Sequence, residues 1–176
     1  NWQQQGEFNA NTNKTDIRKE AGILIDGESG KTVAHLAVQY LHQTPEDFYR
    51  TNEKGYGKSY FGKVSGILVN DASDTLIDNV AVSGANRAGV FFTSTSAISN
   101  SWADKLQASL VGQDAVPYGE NNRLINSDLH HNRVAGAMVG YQKDFVAEGN
   151  TLSWNGHVKD GGTGYGIASS AGSYNS

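Results

Sequence analysis

One short phrase that recurs along the chain constrains its fold more than any other feature. The phrase is a small residue, a glycine and an apolar-x-apolar triplet, and it is clearest at residues 21–25, 65–69, 88–92 and 135–139. Weaker copies stand at 108–112 and 165–169, so successive copies begin 44, 23, 20, 27 and 30 residues apart. Such internal recurrence is typical of repeat architectures, in which each unit packs only on its neighbours.

A second phrase follows each of the first five copies. Its apolar anchors form two columns five residues apart, Val33, Ile77, Ile98, Leu124 and Ala147 and then Val38, Val82, Ala103, Leu129 and Leu152. Short Val- and Ile-rich segments between Gly, Asn, Asp and Ser indicate β-strands. The amphipathic helices of a βαβ protein are missing between them. The pattern predicts an all-β parallel β-helix, a solenoid of about six coils of 20–30 residues.

The repeats also divide the chain into parts. Residues 1–20 form a polar N-terminal segment, residues 21–176 form the β-helix domain, and the 44-residue step holds one long insertion after the first coil, at about 39–63. An uncapped solenoid leaves strand edges and apolar core open at its end coils. Because no amphipathic helix precedes Ala21, we expect this domain to be part of a longer solenoid.

Composition excludes several partners. Fourteen Lys and Arg against 18 Asp and Glu give a net charge of −4, and no cationic cluster is present to follow phosphates, so no nucleic acid is expected. No apolar run approaches the roughly 20 residues that span a bilayer, so no membrane partner is expected either. The chain has no cysteine, which excludes disulfides and thiolate chemistry.

Three segments carry a resemblance to a known family: 77–84 (IDNVAVSG), 124–132 (LINSDLHHN) and 149–155 (GNTLSWN). They resemble the Asn-x-Ile/Leu-x-x-Asn coils of the right-handed parallel β-helix superfamily of pectate-lyase-like proteins, over about residues 21–169. The resemblance implies right-handed coils and a secreted or cell-surface location. Its members include polysaccharide lyases, glycoside hydrolases, alginate epimerases, tailspikes and adhesins, and no motif in this chain selects one of them.

Alternation along a strand sends the middle residue of each triplet outward. This outward column is apolar throughout, with Leu24, Leu68, Phe91, Val111, Met138 and Ala168. A strand that is apolar on both faces is normally covered on both. We therefore expect another part of the chain to pack over this sheet, and the alternative is contact with another subunit, as in a homo-oligomer.

A second outward column, two residues beyond the second anchors, supplies the candidate site. It holds Tyr40, Gly84, Lys105, His131 and Trp154. Coils lie about 4.8 Å apart, so these side chains would form a ladder. Aromatic faces stack on sugar rings, and Lys and His bind hydroxyls or carboxylates. The alternative is that these are ordinary solvent-facing turn residues. A neighbouring set, Asn86, Asn132 and Asn155, is expected to form a structural amide ladder.

Residues 128–132 contain the highest density of side chains that could take part in catalysis. A histidine can take a proton from a sugar carbon next to a carboxylate while a cation neutralises that carboxylate. We predict catalytic roles for His131, Lys105, Asp128 and Arg133, and substrate binding by Tyr40, Trp154, Asp104 and Tyr118. For hydrolysis, Asp104 and Asp128 are the nearest carboxylates by column. His130 should point away from His131, because adjacent strand residues alternate.

These observations predict a secreted protein that processes a polysaccharide. The chemistry would be lyase- or epimerase-type proton abstraction on a uronate-containing glycan, or glycoside hydrolysis. The alternative is a non-catalytic β-solenoid of an adhesin, tailspike or surface filament that binds glycan or packs against another subunit. Scattered acids between residues 71 and 114 could ligate Ca²⁺, but no EF-hand or calcium-binding nonapeptide occurs, so we predict no metal and no other cofactor.

Overall fold

The computed structural model describes residues 21–39, 65–85, 87–94, 119–156 and 164–169, which form β-strands joined by turns. The strands of the first two coils are β1 (Ala21–Asp26), β2 (Thr32–Val38), β3 (Ser65–Asn70) and β4 (Leu76–Ser83). The next coil holds β5 (Ala88–Thr93), β6 (Gly119–Glu120), β7 (Arg123–Ile125) and β8 (Asp128–His130). The last two hold β9 (Ala135–Val139), β10 (Gln142–Lys143), β11 (Val146–Glu148), β12 (Thr151–Ser153) and β13 (Tyr165–Ser169). Within these ranges no helix is long and apolar enough to cross a membrane.

Each strand pairs in parallel with its counterpart in the next coil. One sheet has the order β1-β3-β5-β9-β13. In a second sheet, β2 pairs with β4, which pairs with both β7 and β8, and these pair with β11 and β12. β6 and β10 form a short third pair. Strands stacked in parallel, coil on coil, confirm the predicted parallel β-helix.

The described register differs from the predicted alignment at one point. Val90 of β5 pairs directly with Ala137 of β9, and Ile77 of β4 pairs directly with Leu124 of β7. The predicted alignment placed the coil with Ile98 and Leu110 between these strands, whereas the described strands pair directly. Its residues, like the 1–20 segment and the 39–63 insertion except Gln39, lie outside the described ranges. The first sheet contains five stacked strands among the described residues.

The core lies between the two large sheets. Ile67, Val90 and Ala137, three residues of the predicted inward column, are 0% exposed and stack through the coils. They meet Ile77, Val82, Leu124 and Leu129 from the second sheet in one apolar cluster. Full burial of one Val or Ile side chain contributes roughly 1.5–3 kcal/mol, so this column is a main source of stability.

The recurring glycine has a packing reason. A Cβ on Gly66 would lie 2.5 Å from the carbonyl oxygen of Gly89, and one on Gly89 would lie 2.7 Å from that of Gly136. The same pattern holds between Gly136 and Gly166, at 2.8 Å. Each glycine therefore lets the backbone of the next coil approach at a distance that no side chain permits. This explains why the small–Gly phrase repeats with the coils.

The side chains in the middle of the outward apolar column are buried. Leu68 is 2% exposed and Phe91 8%, and they pack in a cluster with Ala88 and Ala135. The guanidinium of Arg87 lies 4.2 Å from the Phe91 ring centroid, a cation–π contact. Val111 lies outside the described residues. Contact of this face with another subunit stays a prediction.

The turns between strands use left-handed residues stacked in columns. One column contains His35, Asn79, Asn126 and Gly149, with φ from 49° to 65°. Another contains Gly84, His131 and Trp154, with φ of 74°, 53° and 53°. Glycine and asparagine tolerate this conformation, whereas bulky side chains adopt it rarely. Both columns place side chains on the outer surface at regular intervals.

An amide ladder supports the second of these turns. Nδ2 of Asn132 donates to the Val82 carbonyl oxygen and to Oδ1 of Asn155, each at 3.1 Å, while its Oδ1 accepts from the Ala85 amide at 3.2 Å. Nδ2 of Asn155 donates to the Leu129 carbonyl oxygen at 2.7 Å. The ladder therefore contains Asn132 and Asn155 as predicted. In the coil below, Ala85 occupies the corresponding position, and Asn86 lies outside the described residues.

Candidate functional site

The candidate site begins where β8 and β12 end. Ser153 pairs with His130, so the next residues, Trp154 and His131, follow the same bend on neighbouring coils. The His131 amide donates to the Ser153 carbonyl oxygen at 3.3 Å, and the Gly84 amide donates to the His131 carbonyl oxygen, also at 3.3 Å. Gly84, His131 and Trp154 therefore occupy equivalent positions on three successive coils. The structure places Gly84 beneath His131, where the predicted ladder had Lys105.

The two aromatic rings on this bend lie one above the other. The imidazole of His131 and the indole of Trp154 have centroids 6.2 Å apart and an interplanar angle of 17°. Trp154 is 68% exposed and His131 is half-buried. The coil spacing and the shared left-handed turn produce this stack, as the column alignment predicted. Flat rings facing solvent can contact the C–H face of a sugar. We call this pair the aromatic step.

His130 lies beside the aromatic step rather than opposite it. Its Nδ1 is hydrogen-bonded to Nδ1 of His131 at 2.8 Å, and the rings meet edge to face with centroids 5.1 Å apart. The expectation that the two histidines point apart is wrong, because His131 has left the strand for a left-handed turn. Strand alternation therefore does not apply to it. When His131 is the donor in this bond, its Nε2 carries a lone pair and is a base.

The other predicted catalytic residues are less closely gathered. Asp128 is exposed on β8, two residues before His130 and on the same outer face. Arg133 is only 2% exposed, so burial separates its guanidinium from the surface of the aromatic step. The remaining predicted site residues, Tyr40, Asp104, Lys105 and Tyr118, lie outside the described ranges. In the described part of the chain, no three His, Asp or Glu side chains converge as a metal site.

Sequence reasoning missed a shallow groove on the same outer face. It has a volume of about 390 Å³ and extends over three coils of the second sheet. Ala37 and Ala81 contribute small side chains to it, the left-handed turn residues His35, Asn79 and Asn126 line it, and Asp128 lines it from the third coil. The only sequence signal was a column of His and Asn at matching offsets, which the aligned anchors contain but which no motif marks.

Comparison with known proteins agrees with this architecture. The family model described as "right handed beta helix region" matches residues 58–176. No curated protein and no solved structure matches the chain. The matched region covers more than half of the sequence and includes four of the five described strands of the first sheet. The chain therefore belongs to the right-handed β-helix family.

Proposed function

We propose that this β-helix binds a polysaccharide through the aromatic step of His131 and Trp154. One observation carries the proposal: an indole that is 68% exposed stacks on an imidazole of the neighbouring coil. Large apolar side chains that face solvent are typical of binding surfaces when they cluster. Two flat rings at the spacing of the coils form a platform for a chain of sugar rings.

The backbone at Trp154 supports a binding role. A φ of 53° is the left-handed region, which costs about 1–2 kcal/mol for a residue with a Cβ. Most other left-handed positions of the described solenoid hold Gly, Asn or Asp, and the larger side chains among them are those of His35, His131 and Tyr141. A tryptophan there is unfavourable both in its backbone conformation and in its exposure. Strained and exposed residues of this kind are concentrated at functional sites.

Trp154→Asn tests the proposal, because asparagine suits the left-handed turn and removes the ring. We expect polysaccharide affinity, measured by affinity electrophoresis and calorimetry, to fall by about tenfold or more, since one aromatic stacking contact contributes roughly 0.5–1.5 kcal/mol beyond the area that it buries. Trp154→Tyr should retain most of the affinity. Val146→Asn is the matched control, because Val146 is also an exposed apolar residue, 40% exposed. Equal affinity of Trp154→Asn and the wild type would contradict the proposal.

Processing of the bound polysaccharide is the second candidate, and the hydrogen bond between His130 and His131 favours it. This bond can hold His131 in the tautomer whose Nε2 is a base. The base would abstract a sugar proton in β-elimination or epimerisation, or assist hydrolysis with Asp128.

His131→Asn, assayed for product formation as well as for binding, separates the two candidates. Because His131 also belongs to the aromatic step, affinity should fall in this variant too, and a much larger loss of product formation than of affinity supports catalysis by His131. Binding without product formation by the wild type supports the non-catalytic alternative, a β-solenoid module of a surface protein.

A further inference from the structure

We infer that the groove lined by His35, Asn79, Asn126 and Asp128 extends the aromatic step into one binding surface, and that this surface selects a polysaccharide without acidic groups. The inference rests on the proposed function and names its substrate class. It narrows the expectation from the sequence, which included a uronate-containing glycan.

The groove and the aromatic step share one face of the solenoid. Asp128 and His130 both project from the outer side of β8, and the chain reaches His131 one residue later. At about 3.3 Å per residue, Asp128 and His131 are roughly 10 Å apart along the strand. The groove also extends across three coils, because Ala37, Ala81 and Asp128 are register neighbours. A polymer of several sugars can therefore contact both parts, whereas a single sugar cannot.

The hydrogen-bonding groups of the groove match hydroxyls. Nδ2 of Asn79 donates to Nδ1 of His35 at 2.9 Å, which places the ring proton of a neutral His35 on Nε2. Nδ2 of Asn126 donates to Oδ1 of Asp78 at 3.1 Å. Among the residues that line the groove, the amide oxygens of both asparagines and the carboxylate of Asp128 are acceptors. A sugar hydroxyl donates to such acceptors, whereas the carboxylate of a uronate only accepts.

The charge of the groove also favours a polysaccharide without acidic groups. Asp128 lines it, and Asp78 lies beside it, bonded to Asn126. No Lys or Arg is among its described lining residues. Arg123, on β7 before the Asn126 turn, is not a lining residue, and Arg133 is buried. Like charges repel at short range, so an acidic polymer is disfavoured here, while a neutral or amino-bearing one is accepted.

The test compares three polymers of similar length: a neutral β-glucan, chitosan and polygalacturonate. Affinity electrophoresis and calorimetry at low and high salt measure binding by the full chain. We expect the wild type to bind the neutral or the amino polymer roughly tenfold or more tightly than polygalacturonate, a difference of about 1.4 kcal/mol. Asp128→Lys, at an exposed position, should reduce this preference, and added salt should reduce it too. Equal or tighter binding of polygalacturonate by the wild type would overturn the inference.

A steric variant separates the groove from the aromatic step. Ala81→Phe fills the floor of the groove and should lower affinity for the preferred polymer about fivefold or more. Ala34→Phe is the matched control, because Ala34 is half-buried on β2 but outside the groove, and it should bind like the wild type. If Trp154→Asn loses affinity for the polymer and Ala81→Phe does not, the groove inference is overturned and the proposed function stands. No binding of any polymer would overturn both. Thermal unfolding confirms that each variant is folded, and Asp128→Lys decides the question if Ala81→Phe is not.

Discussion

Ile67→Asp should abolish folding of the domain. Ile67 is 0% exposed, pairs with Ile23 and Val90 on the neighbouring coils, and belongs to the main apolar cluster. A carboxylate there has no described cation in the cluster and loses its hydration, which costs several kcal/mol even if the group takes up a proton. Whole domains are stable by only about 5–15 kcal/mol. Circular dichroism and limited proteolysis of the purified variant should show an unfolded chain.

Two control variants test whether burial of the charge causes the loss of folding. Ile67→Val removes one methylene group and should cost about 0.5–1.5 kcal/mol, leaving a cooperative transition. Val146→Asp adds the same charge at a position that is 40% exposed and should unfold near the wild-type midpoint. A folded Ile67→Asp variant with an unchanged unfolding midpoint would contradict the described core.

Gly66→Ala should have the second large effect, although it adds only one methyl group. The new Cβ would overlap the Val82 side chain and lie 2.5 Å from the Gly89 carbonyl oxygen. The side chain can shift, but the carbonyl belongs to the backbone of the next coil, so the two coils must separate. Overpacking of this kind costs about 1–3 kcal/mol, and the upper end is expected here. Urea denaturation should show a midpoint well below that of the wild type.

Gly166→Ala is the control for glycine replacement in the same phrase. A Cβ on Gly166 would meet Leu152 atoms at 3.5 Å, an ordinary van der Waals distance. Its stability should change by less than about 0.5 kcal/mol, the usual range for a surface substitution. If both alanine variants lose the same stability, close approach of the coils is not the reason that the glycine recurs.

The fold could be predicted from the sequence because each coil constrains the residues of the next. A parallel solenoid needs an apolar residue at the same point of each coil and a glycine where backbones approach, and both requirements appear as a repeated phrase. The predicted alignment differs from the described register at one point, because it placed the 108–112 copy between β5 and β9, which pair directly. Composition alone does not determine which strands pair, and the direct pairing of β5 with β9 follows from no local pattern.

The candidate site was partly predictable for the same reason. His131 and Trp154 lie at equal offsets from their anchors, so their stacking follows from the period. The orientation of His130 was not predictable, since it depends on the left-handed φ of His131. Burial of Arg133 depends on how neighbouring coils pack, and the groove needs turn residues of three coils at once. Neither property is encoded in a local pattern.

The central claim is that β4 and β8 belong to directly adjacent coils, which positions the groove and the aromatic step. A cross-coil disulfide tests it most directly, because the chain has no cysteine of its own. Ala81 and Asp128 are register partners about 4.8 Å apart, within the Cα range of a disulfide. Thr151 is one coil further and about 10 Å from Ala81, outside that range. After mild oxidation of dilute protein, the Ala81→Cys/Asp128→Cys variant should lose its free thiols without forming intermolecular disulfides, and the Ala81→Cys/Thr151→Cys variant should keep its free thiols. Free thiols in the first variant, or an intramolecular disulfide in the second, would contradict the register.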